Sequence, residues 1–103
     1  FDLVQSWDQN AVVIDSHDIR DDPENMLRKL CDRIGLDFTP EMLTWPSGGH
    51  KDDGVWAAHW YGAVWQSTGF AGAEGPLPEV PEELQDVLEG ALPYYQKMKA
   101  EKI

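Results

Sequence analysis

The chain has 103 residues, five of them tryptophan, and sets 19 acids against 8 bases for a formal net charge of −11. That length allows one small domain and excludes a catalytic domain joined to a separate nucleotide-binding half, while the acidic balance excludes a nucleic-acid or anionic-membrane surface, which needs clustered Lys and Arg. The lone Cys31 excludes an internal disulfide or a cysteine zinc site, and no apolar run approaches the ~20 residues that span a bilayer, so the expectation is a soluble, cytoplasmic chain.

Phe1 is not a translation start, and the reading expects further sequence upstream of it. Phe1, Leu3, Val4 and Trp7 give a helical apolar pattern that the polar Asp8-Gln9-Asn10 break ends. Ala11-Val12-Val13-Ile14 follows as a continuous β-branched run, closed by Asp15-Ser16-His17-Asp18, which reads as a solvated helix-entry loop. A run apolar on both faces suits a parallel strand covered by helices. No second segment of this kind exists to pair with it, so either an upstream sheet receives it, or two copies of the chain pair, or the segment is not a strand in isolation, and all three readings point to missing context.

The clearest helix covers residues 23 to 34. Asp22 caps it, Pro23 suits its first position, and Glu24 favours the positive end of the helix dipole. Leu27, Leu30, Cys31 and Ile34 form an apolar stripe facing a core, and Gly35 supplies a left-handed stop. Thr39-Pro40-Glu41 repeats the start signal, but Trp45-Pro46 limits that element to one turn. Ser47 to Asp53 reads as a mobile surface loop.

Val55 to Ser67 carries apolar groups around every side of any helix it forms, which predicts a largely buried helix. Residues 71–81 hold two glycines and three prolines without periodicity, and read as an extended linker or arm crossing the surface. A last amphipathic helix begins at Pro81-Glu82-Glu83 and places Leu84, Val87, Leu88, Ala91 and Leu92 on one face, with a kink expected at Pro93. Lys97, Lys99 and Lys102 suit its negative end.

Two sets of residues carry a resemblance. Ala11 to Ile14, the acidic turn, the Asp22-Pro23 helix start and the Ile34-Gly35 stop are similar to the C-terminal strand and helix of P-loop sulfotransferases. Met42-Leu43-Thr44-Trp45-Pro46, Gly54-Val55-Trp56-Ala57, His59-Trp60-Tyr61 and Ser67-Thr68-Gly69-Phe70 resemble the tail of a bacterial and plant branch of that family. The resemblance implies a fold class that is mainly α with one short strand, the C-terminal fragment of a three-layer α/β fold. The implied parent transfers a sulfuryl group from 3'-phosphoadenosine-5'-phosphosulfate to a hydroxyl or amine acceptor. Its Gly-rich phosphate loop and catalytic base are expected before Phe1, and its Arg-Lys-Gly element for the 3'-phosphate has no counterpart here. The chain alone is therefore expected to bind no cofactor and no metal, and its partner to be the missing N-terminal region of the same protein.

His59, with Trp60 and Tyr61, is a candidate either as a base or to position a sulfuryl group, set against a plain reading as a buried helix histidine satisfied by a carbonyl. Trp56, Trp60, Tyr61 and Trp65 are candidate acceptor-binding groups. His17 with Asp15 and Asp18 is a metal-binding alternative at the ligand edge of a strand. A competing reading makes the chain a small stand-alone helical binding module that forms homo-oligomers through its tryptophans.

Overall fold

The computed structural model describes residues 2–7 and 11–103. Phe1 and the Asp8-Gln9-Asn10 break lie outside the described residues. Among the described residues six α-helices follow one another: α1 (Asp2–Trp7), α2 (Ser16–Asp21), α3 (Pro23–Ile34), α4 (Ala57–Trp60), α5 (Gly62–Gln66) and α6 (Gln85–Glu101). Single 3-10 turns stand at Pro40–Leu43 and Glu82–Leu84. Mainly helical, with strand pairing reduced to isolated bridges, the fold class is as expected from the sequence.

Helix α3 forms as its signals require. The Asp22 carboxylate accepts from the Asn25 N–H at 3.3 Å, and Gly35 closes the helix at φ 73°, a conformation that costs residues with a Cβ. Glu24 and Arg28 pair at i,i+4, and the Arg28 guanidinium lies 4.0 Å from the centre of the Phe38 ring. The buried side is rotated from the predicted stripe. Met26 and Cys31 are buried, Leu27 and Leu30 are half-buried, and Ile34 is exposed. The cause is the neighbour: α3 packs on α2 and on the 3-10 turn, where Met42 sits 3.8 Å from Cys31 sulfur to sulfur, so burial follows those two contacts.

Three expectations are corrected. The residues Ser16 to Asp21 are not a loop but helix α2, capped by the Asp15 carboxylate, which accepts from the His17 N–H at 3.0 Å. The run Ala11 to Ile14 does find a partner inside the chain: Val13 pairs in parallel with Lys102, and the Ile103 N–H donates to the Val13 carbonyl at 3.1 Å. That bridge is one residue wide, far short of a stable sheet. The segment from Val55 to Ser67 is not one buried helix but α4 and α5, hinged at Tyr61 next to Gly62. Of its residues only Ala57 is buried. Nothing among the described residues is large enough to cover the rest.

Residues 71–81 carry no helix, and α6 runs on through Pro93 to Glu101. No described helix is long and apolar enough to cross a membrane.

Met26, Cys31 and Ala57 are the buried apolar residues among those described. The chain exposes 8541 Å², whereas a folded monomer of its mass exposes about 5,800 Å². Its radius of gyration is 17.0 Å, against about 13 Å for a compact domain of this length.

Local helix signals are thus strong where long-range packing is thin. Replacing Asp22 by Ala removes the carboxylate that satisfies the Asn25 N–H, and is expected to cost about 1 kcal/mol of stability. Denaturant unfolding followed by helical circular dichroism checks this, and an unchanged midpoint would contradict the capping role.

Candidate functional site

An open groove lies where α2, the 74–77 segment and α6 meet, beside the Val13 bridge. Its volume is about 730 Å³. Leu77, Leu88 and Leu92 supply its apolar wall, and Asp15, His17, Asp18, Glu74, Lys99 and Lys102 its polar rim. Lys102 organises that rim. Its ammonium donates to Asp18 Oδ2 at 2.5 Å and lies 3.9 Å from Asp15 Oδ2, which also receives a long hydrogen bond from the Tyr95 hydroxyl at 3.4 Å. Across the groove Arg20 Nε donates to the Gly72 carbonyl at 3.1 Å, and its guanidinium pairs with Glu74, so α2 holds the extended arm in place.

The sequence read Lys102 only as a partner for the helix dipole. Its tertiary role spans 84 residues, and no local pattern signals it. His17 and Asp18 sit 3.8 Å apart, but Asp15 and Asp18 spend their oxygens on Lys102. Among the described residues no three His, Cys, Asp or Glu side chains are placed to share a metal ion.

The five candidates from the aromatic segment do not line this groove. His59 is exposed, contrary to the buried reading, and its ring stands 6.4 Å from that of Trp56 in an edge-on contact. Trp56 is 71% and Trp60 75% exposed, and Tyr61 is exposed too. Trp65 is half-buried, donates its indole N–H to Asp53 Oδ2 at 2.8 Å, and leaves no room for a side chain at Gly49, where a Cβ would come within 2.9 Å of its ring. Trp65 is thus a brace for the 48–53 loop.

That loop is pinned, not a free surface excursion. Asp53 Oδ2 also accepts from the His50 N–H at 2.8 Å, and the Gly48 N–H donates to the Trp65 carbonyl at 2.7 Å. The His50 bond first, then the Trp65 bond, hold the Asp53 carboxyl below its usual range. One step further along, Thr44 bridges Gly69 antiparallel, the Trp45 N–H reaches the Thr68 carbonyl at 3.0 Å, and the Trp45 indole donates to Ser67 Oγ at 2.9 Å. Phe70 packs edge-on against Trp45 with ring centres 5.4 Å apart. The motifs Thr44-Trp45-Pro46 and Ser67-Thr68-Gly69-Phe70 are therefore halves of one structural unit.

Lys102 and Asp18 also set a pH window. The hydrogen bond to Lys102 holds the Asp18 carboxyl below its usual value, and the same bond holds the Lys102 ammonium above its own. A depressed carboxylate contributes stability above its unfolded pKa and loses it as pH falls through the folded one. A raised lysine contributes below its unfolded pKa and loses it as pH rises through the folded one. The closure of the C-terminus on Val13 is expected to hold constant from about pH 5 to about pH 10 and to weaken outside that range. Amide-exchange protection of Ile103 reads it directly. Lys102→Met should lower that protection throughout the window, and equal protection in the variant would show that the backbone bridge stands without the ion pair.

Comparison with known proteins fits this geometry into a family. A family model described as a sulfotransferase domain matches residues 5–102. The chain is 40% identical over 99 residues to branched-chain-amino-acid aminotransferase-like protein 1 of Arabidopsis thaliana, and 37% identical over 98 residues to protein 2 of the same name. The matches take in 96% and 95% of this chain but only 18% and 17% of those proteins, so the chain spans less than one fifth of the curated relatives' length. No solved structure matches. With the family match running through both halves of the 44–70 unit, α3 and the Val13–Lys102 closure, the chain belongs to the sulfotransferase domain family.

Proposed function

We propose that this chain is the C-terminal part of a sulfotransferase-type domain, and that it supplies cover and acceptor-side surface without binding the sulfuryl donor itself. The observation that carries this reading is the family match over residues 5–102, on a chain that exposes about 2,700 Å² more than a folded monomer of its mass. In the whole domain the sulfur–oxygen bond of 3'-phosphoadenosine-5'-phosphosulfate breaks. A new bond forms from sulfur to an acceptor oxygen or nitrogen, a base takes the acceptor's proton, and adenosine 3',5'-bisphosphate leaves.

Electrostatics support placing the donor elsewhere. The groove at α2 and α6 sets Asp15, Asp18 and Glu74 against Lys99, Lys102 and the neighbouring Arg20, and with Lys102 and Arg20 already paired it offers a polyanion no excess of positive charge. A phosphate cradle needs successive backbone N–H groups, usually shaped by glycines, between a strand and a helix. Among the described residues the glycines with positive φ are Gly35, which ends a helix, and Gly48, whose N–H is spent on Trp65.

The competing reading is a stand-alone module that dimerises. Magnitude weighs against it: a standard dimer covers about 800 Å² per partner, roughly a third of the excess here. The remainder of a domain covers far more.

Calorimetric titration with 3'-phosphoadenosine-5'-phosphosulfate tests the reading on the 103-residue chain and on the complete product of its reading frame. The expected result is no binding by the chain and binding by the complete product. Stoichiometric binding by the chain alone overturns it. In the complete product, His59→Ala is expected to lower kcat by about a hundredfold if His59 is the base that takes the acceptor's proton. Unchanged turnover removes His59 from the chemistry and leaves it as a surface residue beside Trp56.

A further inference from the structure

We infer that the outer face of α4 and α5, built from Trp56, Trp60 and Val64, is the anchor on which the rest of the sulfotransferase-type polypeptide seats, through an uncharged, aliphatic face of its own. This deepens the reading above and rests on it.

The face is continuous across the hinge. Tyr61 donates its N–H to the Ala57 carbonyl and Trp65 to the Tyr61 carbonyl, each at 2.8 Å, so the four-residue spacing of the helix is kept from α4 into α5. Ala57, Tyr61 and Trp65 form one stripe, of which Ala57 is buried, Trp65 half-buried and Tyr61 exposed. Trp56, Trp60 and Val64 form the adjacent stripe and point out, 71%, 75% and 62% exposed. Val55, 89% exposed, extends it. Tryptophan is the residue that most often carries the energy of an interface, and a contiguous exposed patch of this type is rare on a finished surface.

Charge separates this face from the remaining surface. The chain carries −11, yet from Gly54 to Ala73 there is no Asp, Glu, Lys or Arg. A stretch without charge is suited to burial against apolar groups, since no ion has to be stripped of water. A second copy of the same acidic chain would bring a like charge of −11 with it, whereas the rest of a domain need not.

The face is also held rigid from behind. Trp65 is fixed by Asp53 and by Gly49, Ser67 donates to the Val64 carbonyl at 2.6 Å, and Trp45 donates to Ser67. Ser67 and Asp53 are consumed in bracing it. The outward tryptophans themselves make no side-chain hydrogen bond among those described. A pre-ordered apolar face loses little entropy on docking.

Hydroxyl-radical footprinting of the tryptophans tests the inference on two samples, the 103-residue chain and the complete product of its reading frame. In the chain alone, Trp56 and Trp60 should be oxidised much faster than Trp65. In the complete product their rates should fall to that of Trp65, and a Trp56→Ser, Trp60→Ser double variant should lower the melting temperature of the complete product while leaving the chain's own helical signal unchanged. Fast oxidation of both tryptophans in the complete product, with new protection along α6, overturns the inference and leaves the proposed function standing. Protection in the chain alone that grows with its concentration identifies a second copy as the occupant and also overturns it. A chain that is by itself compact and monomeric, with a scattering radius near 13 Å, removes the proposed function and the inference together.

Discussion

The constraint on which this structure depends is a shortage of apolar groups that can be placed out of water at the same time. Three buried apolar side chains, Met26, Cys31 and Ala57, cannot offset the conformational entropy of ordering the described residues, at about 1 to 2 kcal/mol each for the backbone alone. An unfolded chain of this mass exposes about 16,800 Å², so folding to 8541 Å² buries about half of that surface, where a domain of this size normally buries about 65%. The missing share corresponds to the outward side chains of α1, α4, α5 and α6. Their exposure is a property of the sequence's composition, since five tryptophans in 103 residues demand more cover than six helices, most of them short, provide.

Where the core is thin, polar pins fix the long-range arrangement. Lys102 fastens the end of the chain to Asp15 and Asp18, Arg20 fastens the arm at Gly72 and Glu74, and Trp65 fastens the 48–53 loop through Asp53. Hydrogen bonds and ion pairs of this kind set direction and register more than they stabilise, because water and salt compete for each partner. The consequence is a chain whose local elements are specified while the distances between them rest on few contacts. Of the three, only the Trp65–Asp53 pin adjoins a face free of Asp, Glu, Lys and Arg.

What could be read in the sequence follows from the range of the signal. Helix α3 was legible to its ends because Asp22, Pro23 and Gly35 act within one turn. The turn at Pro40 and the irregular arm at 71–81 were legible for the same reason. The polarity of Ser16, His17 and Asp18 hid α2, whose capping bond from the His17 N–H to Asp15 is equally local and offered a usable signal. The partner of Val13 was not legible, since Lys102 lies 89 residues away and carries no strand pattern of its own. The aromatic segment misled for a physical reason: an all-round apolar pattern announces a buried helix, whereas the segment breaks at Tyr61 into two short helices of which only Ala57 is buried among the described residues. Of the candidate site, the sequence pointed to His59 and its aromatic neighbours but gave no sign of the groove at Lys102, which three distant segments assemble.

Charge then divides the surface into two kinds. The α2, arm and α6 region concentrates ionisable groups that already pair with one another. The stretch from Gly54 to Ala73 has no Asp, Glu, Lys or Arg and shows Trp56 and Trp60 outward. Burial of the first face would strand carboxylates away from solvent, at several kcal/mol per uncompensated ion. Burial of the second removes mainly apolar surface, which is favourable at roughly 25 cal/mol per Å², provided the Trp56 and Trp60 indole N–H groups and His59 find partners. On the proposed reading, the less costly orientation against the rest of a domain is therefore α4 and α5 inward and the ionised groups of α2 and α6 toward water.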